Sequence, residues 1–463
     1  MLIRKITWKD DQIMGNLSLD FVNHHTDKAY STIVFAGENG TGKSTILHQL
    51  SSFLNGGSLA PFECIEYSVD GHNYVASKFD GTGYSNPPSS WYKRTNLSTG
   101  EGTNLARDRS NNPQDAEKDK DDLRHYGCVL SKARSDFIAK PIKSSSTSVL
   151  DDSKYQVDEN NDFTDLKQLI VDVDIMDAED YMQRGIQNDG AANPWTTFYP
   201  SSRMYRFKEA INGFFDELEY DQVKTVDGEK RIIFKKHNKE ISIDSLSTGE
   251  KQIVFRGIYL LRNVNQLDGA TVYIDEPELS MHPKWQKKIL NYYQDLFRNG
   301  DGSLRVQLFF ASHSDFLLES ALSDAENTLV IVLHDNNGKI ESNEIRQPFL
   351  LPTITAAEIN YKAFGIYSVD YHIALYGEIQ ARYCSNQHIK TCDDFIVSTP
   401  QYNRAVHERI TYNGSTTYSS LTTLIRNKID HPADSPYTYS EEDLKTSTEL
   451  MREILTNTPR INP

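Results

Sequence analysis

Ala36-Gly37-Glu38-Asn39-Gly40-Thr41-Gly42-Lys43-Ser44-Thr45 follows the apolar run Ile33-Val34-Phe35 and opens into Ile46-Leu47-His48-Gln49-Leu50. A buried strand, a glycine-rich turn and a helix in this order, with Gly37, four residues, and then Gly42-Lys43-Ser44, form a phosphate-binding loop. The glycines let backbone N–H groups wrap a β-phosphate, and the new helix points its positive end at the same anion. Lys43 is placed to reach the β- and γ-phosphates, and the Ser44 hydroxyl to take one position on Mg²⁺. Gly37, Asn39, Gly40, Gly42, Lys43, Ser44 and Thr45 are the candidate nucleotide-binding set.

Outward from the loop, composition sets limits. A chain of 463 residues holds two or three domains and buries a sizeable core. With 38% hydrophobic and 25% charged residues, and no run of about eighteen apolar residues, no membrane span is expected. Met1-Leu2-Ile3-Arg4-Lys5-Ile6 lacks the apolar stretch of a signal peptide, and four cysteines are too few for a disulfide scaffold. A cytoplasmic chain is the expectation. The net charge of −16 argues against a broadly basic nucleic-acid surface and leaves room only for a local basic groove.

Before the loop, Leu2–Thr7 and the alternating Leu17–Phe21 read as strands of a small antiparallel layer. After it, Ile65–Val69 and Tyr74–Ala76 around Asp70-Gly71 read as a hairpin. From about 80 to 165 the chain turns polar, with Asn86-Pro87-Pro88-Ser89-Ser90, the charged run from Asp115 to Asp122 and the serine-rich 144–148. It reads as a surface insertion. Leu169–Val173 and Trp195–Tyr199 read as strands. Phe207, Ile211, Phe214, Phe215 and Leu218 fall at helical spacing, as core aromatics of a short helix.

Leu246-Ser247-Thr248-Gly249-Glu250-Lys251-Gln252 comes next, after a hairpin at Arg231–Phe234 and Glu240–Ile243 and before the helical Ile253-Val254-Phe255. A Ser and a Gly at a helix start can present a hydroxyl and free N–H groups to phosphate. Leu97-Ser98-Thr99-Gly100-Glu101 repeats the pentapeptide without a helix behind it, which shows how little five letters carry without context. Ala270-Thr271-Val272-Tyr273-Ile274-Asp275-Glu276 is an apolar strand ending in two carboxylates. Asp275 suits the Mg²⁺ shell and Glu276 the polarisation of an attacking water. Leu308–Ala311 leads to Ser312-His313, where His313 can sense a γ-phosphate.

These motifs, in this order, resemble an ABC-class ATPase, over about residues 1–340. The stretch Glu276-Pro277-Glu278-Leu279-Ser280-Met281-His282-Pro283 is similar to the soluble branch holding recombination, SMC-type and OLD-like proteins. The resemblance implies an α/β fold, an ABC-type P-loop ATPase with a mixed sheet. It assigns Lys43 to the phosphates, Ser44 and Asp275 to Mg²⁺, Glu276 as base and His313 as switch, with ATP and Mg²⁺ as cofactors. It places Ser247 and Gly249 across a head-to-tail dimer on the partner's nucleotide, with Glu250 of the same motif as a further nucleotide-binding candidate. The glutamine that links nucleotide to lobe in this class is not identifiable; Gln168 and Tyr199–Arg203 are candidates. The interval between loop and signature has no sustained heptads, so a long coiled-coil arm is not expected.

An ATPase domain at 1–350, carrying the polar insertion, and a C-terminal helical domain at 351–463 are the expected organisation. In the latter, Cys384, His388 and Cys392 are spaced four apart, as on one helix face, without a fourth ligand of zinc-like spacing. Arg426-Asn427…His431-Pro432 is similar to the motif of HEPN domains, some of which cleave RNA. Here it reads as structural, because Pro432 ends the helix at His431. The whole resembles the ATPase subunits of bacterial anti-phage systems such as Septu and PARIS, which implies a homo-oligomer holding a separate nuclease. An ATP-regulated HEPN-type ribonuclease and a recombination or repair ATPase are the alternatives.

Overall fold

The computed structural model describes residues 1–81, 84, 86–106, 117–146, 149–158, 162–187, 195–345, 349–384, 388–413, 415–432 and 436–459. Parts of the polar stretch, at 107–116 and 147–148 among others, lie outside them. The chain forms two units, Met1–Glu344 and Ile345–Pro463.

The first unit is mixed α/β and is built on a seven-stranded sheet. Its order is Tyr155–Val157, Cys128–Ser131, Thr271–Asp275, Gln307–Ala311, Thr32–Gly37, Thr328–Asn336 and Lys339–Glu344. Every neighbouring pair is parallel except the last. The three central strands, Thr271–Asp275, Gln307–Ala311 and Thr32–Gly37, are mainly apolar and buried along their whole length, as a sheet covered on both faces requires. A six-stranded antiparallel sheet, from Ser18–Asp20 and Leu2–Trp8 through Phe62–Val69 and His72–Lys78 to Tyr92–Asn96 and Gly102–Leu105, forms a second layer. The helix Lys43–Leu54 lies between the two layers. Phe53 packs on Phe62, and the Trp8 indole donates to Gln49 at 2.7 Å. Buried Gln307 stitches the sheets together, accepting from the Ile3 N–H at 2.7 Å and donating to the Ile3 and Tyr30 carbonyls at 2.9 Å each.

The hairpin at Asp70-Gly71 forms with both residues at positive φ. Four readings change. Leu169–Val173 belongs to the helix Thr164–Gln187 and Trp195–Phe198 is a helical turn; neither is a strand. Residues 169–173 are all buried, Asp172 included, so the stretch has no exposed face whose period would distinguish helix from strand. Leu218 opens the strand Leu218–Val226 and does not extend the helix Tyr205–Phe214. The stretch from 80 to 165 is not wholly superficial, because Cys128–Ser131 is an inner strand of the main sheet. Four residues are too few to display a pattern.

The second unit packs Val369–Tyr383, Ile389–Ser398 and Glu441–Asn457 around Tyr371, Leu375, Ile379, Ile396, Met451 and Ile454. It also holds a hairpin, Glu408–Asn413 with Thr416–Ser420. Cys384 ends one helix, whereas Cys392 lies in the next, which His388 caps, so the three do not line one helix face. Among the described residues, no helix is long and apolar enough to cross a membrane.

Candidate functional site

Parallel strands release their carboxyl ends on one edge, where ligands of open α/β sheets bind. Here that edge collects Gly37–Ser44, Asp275–Glu276 and Ser312–His313, from three adjacent strands. Gly37 can be nothing larger: a Cβ there would stand 2.3 Å from the Leu333 carbonyl oxygen of the neighbouring strand, and its φ is +133°.

Lys43 is buried, and its ammonium donates to the Gly37 carbonyl at 2.8 Å and the Glu38 carbonyl at 2.7 Å. The side chain therefore folds over the loop it serves. Burial lowers its pKa, against the opposing pull of Glu276, Asp275, Glu278 and Glu38. The Ser44 hydroxyl donates to Asp275 Oδ1 at 2.9 Å, joining the phosphate loop to the second motif across 231 residues of sequence. Asn39 and Gly40 are exposed on the loop, and Thr45 is half-buried in the first helical turn. A hydroxyl and a carboxylate side by side make a hard-oxygen pair suited to Mg²⁺. With the lysine held over a positive-φ glycine turn, the residues present fit a magnesium nucleotide.

Glu276 has φ +42°, a left-handed conformation that costs a non-glycine residue on the order of 1–3 kcal/mol. Its N–H is fixed on the Ala311 carbonyl at 2.9 Å. His313 is half exposed, with Nδ1 3.9 Å from Glu276 Oε1 and 3.6 Å from Glu278 Oε1. Glu278 is the organiser that motif reading passed over. Its Oε1 accepts from the Ser312 hydroxyl at 2.7 Å and the His313 N–H at 2.9 Å, while Oε2 is buried with no hydrogen-bond partner among the described residues. Its proximity to Asp275-Glu276 was the available signal.

Ser247 caps the helix Thr248–Leu261, and the Glu250 carboxylate returns to the Ser247 N–H and hydroxyl at 2.8 Å each, a capping box. Lys236 Nζ closes on the other Glu250 oxygen at 2.6 Å. Among the described residues, no hydrogen bond or ion pair joins Ser247, Gly249 or Glu250 to the phosphate loop. Arg256, also unforeseen, is buried on this helix and donates to the carbonyls of Asp275 at 2.8 Å and Glu276 at 3.4 Å. An arginine inside the apolar run Ile253–Leu261 was the sequence signal for it. Gln168 donates to the Ser144 carbonyl at 3.0 Å and to Asp172 at 2.7 Å. In the second unit, Asp430 pairs with Arg426 at 2.7 Å, while His431 is exposed at the helix end. The acid beside the histidine is thus held by the arginine.

The family described as "AAA domain, putative AbiEii toxin, Type IV TA system" (AAA_21) matches residues 80–319, which hold the signature, Asp275-Glu276 and His313 and begin after the phosphate loop. The chain is 32% identical over 129 residues to "Retron Vc95 probable ATPase" of Vibrio cholerae serotype O1 biovar El Tor, covering 25% of this chain and 23% of that protein. It is 36% identical over 92 residues to "Retron Ec83 probable ATPase" of Escherichia coli, covering 18% and 16%. The matched segments thus span less than a quarter of either relative. Among solved structures, the SMC head domain from Thermotoga maritima aligns with 75% of this chain and 100% of its own, at 13% identity and a TM-score of 0.37. An SmcHead bound to the C-winged helix domain of ScpA aligns with 74% of this chain and 98% of its own, at 13% identity and a TM-score of 0.39.

Proposed function

The chain belongs to the AAA_21 family of AAA domains, and we propose that it is the ATP-hydrolysing subunit of an anti-phage defence assembly, in which turnover controls a separate nuclease. The observation that carries the enzymatic part is the 2.9 Å bond between Ser44 and Asp275, with Glu276 next in line on the same strand end. Lys43 holds the phosphates, Ser44 and Asp275 take Mg²⁺, Glu276 accepts the proton of the attacking water, and His313 stands at the terminal phosphate. When bound, Mg²⁺ neutralises charge on the phosphate oxygens. The defence part is supported by the toxin–antitoxin description of the family, by the retron relatives, and by a motif order similar to that of Septu and PARIS ATPase subunits. Ser247 and Gly249 complete the site of a second copy in a head-to-tail dimer.

Glu276→Gln removes the base and keeps the Mg²⁺ carboxylate. Hydrolysis should fall about 10²–10⁴-fold while ATP stays bound. Lys43→Ala should lose the nucleotide itself. Retention in Glu276→Gln as poor as in Lys43→Ala would overturn the assignment of roles. For the defence role, phage plating on cells carrying the system should lose its protection with either variant. Undiminished protection by both would separate the ATPase from defence.

A further inference from the structure

We propose that Lys132 is the cation that distinguishes a nucleoside triphosphate from a diphosphate in this site, an inference that rests on the nucleotide-site reading above. Its position follows from strand register. Cys128–Ser131 runs parallel to Thr271–Asp275 with Ser131 opposite Ile274, so the next residue, Lys132, leaves the sheet level with Asp275. That is the edge where the phosphate loop, Glu276 and His313 emerge.

The backbone there is gripped by one face of the signature helix. Gln252, Arg256 and Tyr259, spaced four and three apart, donate to the carbonyls of Arg134, Lys132 and Leu130 respectively, the last at 3.0 Å. Alternate carbonyls of an extended segment face one way, so the three bonds fix the segment's orientation. The Arg256 nitrogen that holds Lys132 also donates to the Asp275 carbonyl at 2.8 Å, which keeps the two strand ends side by side.

The Lys132 side chain is half-buried, and among the described residues no hydrogen bond or ion pair engages its ammonium. Its charge reaches the helix that follows the phosphate loop. At His48, one helical turn beyond Ser44, burial lowers the imidazole's pKa first, Lys132 lowers it further, and Asp275 opposes. A cation with no ionic partner among the described residues thus leaves its strand level with Asp275, whose carboxylate bonds Ser44. A γ-phosphate, which adds negative charge and three acceptor oxygens, is the ligand group such a cation fits. A diphosphate lacks it.

The test is equilibrium binding of a non-hydrolysable ATP analogue and of ADP, each with Mg²⁺, to the full chain. Lys132→Met should weaken the analogue about tenfold or more and leave ADP within about twofold, and Lys132→Arg should recover most of the loss. Preserved ADP binding doubles as the check that the variant is folded. Equal weakening of both ligands, or no change in either, would overturn the role of Lys132. Wild-type protein that binds neither ligand would instead overturn the nucleotide-site reading, and the proposal with it.

Discussion

The pentapeptide Leu-Ser-Thr-Gly-Glu occurs twice in the first unit and takes two different structures. At 97–101 it is the turn between the strands Tyr92–Asn96 and Gly102–Leu105, with Leu97 half exposed and Gly100 at φ +74° in open space. Its backbone is served locally: Asn96 accepts from the Ser98 N–H at 2.8 Å, and Thr99 from the Glu101 N–H at 3.2 Å. At 246–250 Leu246 is buried and Ser247 caps a fourteen-residue helix. A Cβ on Gly249 would meet the Ser280 carbonyl at 2.7 Å, and Glu250 is buried against Lys236. The second copy is followed by Ile253 to Leu261, an apolar run long enough to be a buried helix; the first by Gly102-Thr103-Asn104-Leu105, which pairs as a strand. Five residues offer a cap and a turn equally, and the segment on their C-terminal side chooses between them.

The largest expected separation of the two copies is in turnover. Ser247→Arg should lower ATP hydrolysis at least about 100-fold, on the scale of losing a preorganised phosphate contact, while Ser98→Arg leaves it unchanged. Mixing Ser247→Arg with Lys43→Ala protein should restore activity, because both lesions can fall on one site of a mixed dimer. Equal loss in both arginine variants, or no recovery on mixing, would break the contrast.

The next effect is on stability. Gly249→Asn forces a side chain into the Ser280 backbone and should cost about 1–3 kcal/mol. Gly100→Asn, where asparagine tolerates the left-handed conformation, should stay within about 0.5 kcal/mol. Urea unfolding distinguishes them, and equal costs would mean that Gly249 is not close-packed.

The smallest effect is electrostatic. Glu250→Ala should cost about 1–2 kcal/mol at neutral pH and Glu101→Ala about 0.5 kcal/mol or less. Burial alone would raise the Glu250 pKa, but the Lys236 ammonium and the Ser247 donors outweigh it and hold the carboxyl below its ordinary value. Stability from such a group is complete above the unfolded value of about 4.3 and drains as pH falls through the lower folded value. The gap between wild type and Glu250→Ala should therefore close in acid. A gap unchanged down to about pH 2 would show that the charge contributes nothing.

By itself the sequence determined the strand–loop–helix at 32–54, the acidic strand end at Asp275-Glu276, and the order of the strands' active ends along the chain. Phosphate and magnesium chemistry demands contiguous residues of fixed type, and each motif is its own local structure. Folding in three dimensions was needed to make Cys128–Ser131 an inner strand and to bring Glu278, Arg256 and Lys132 to the same sheet edge. Arg256 reaches Lys132 across 124 residues and Ser44 reaches Asp275 across 231. Those contacts are set by the register of parallel strands, and parallel strands pair only after a long crossover has brought them together. No local pattern of residues encodes such a pairing, because its energy arises from packing against segments elsewhere in the chain.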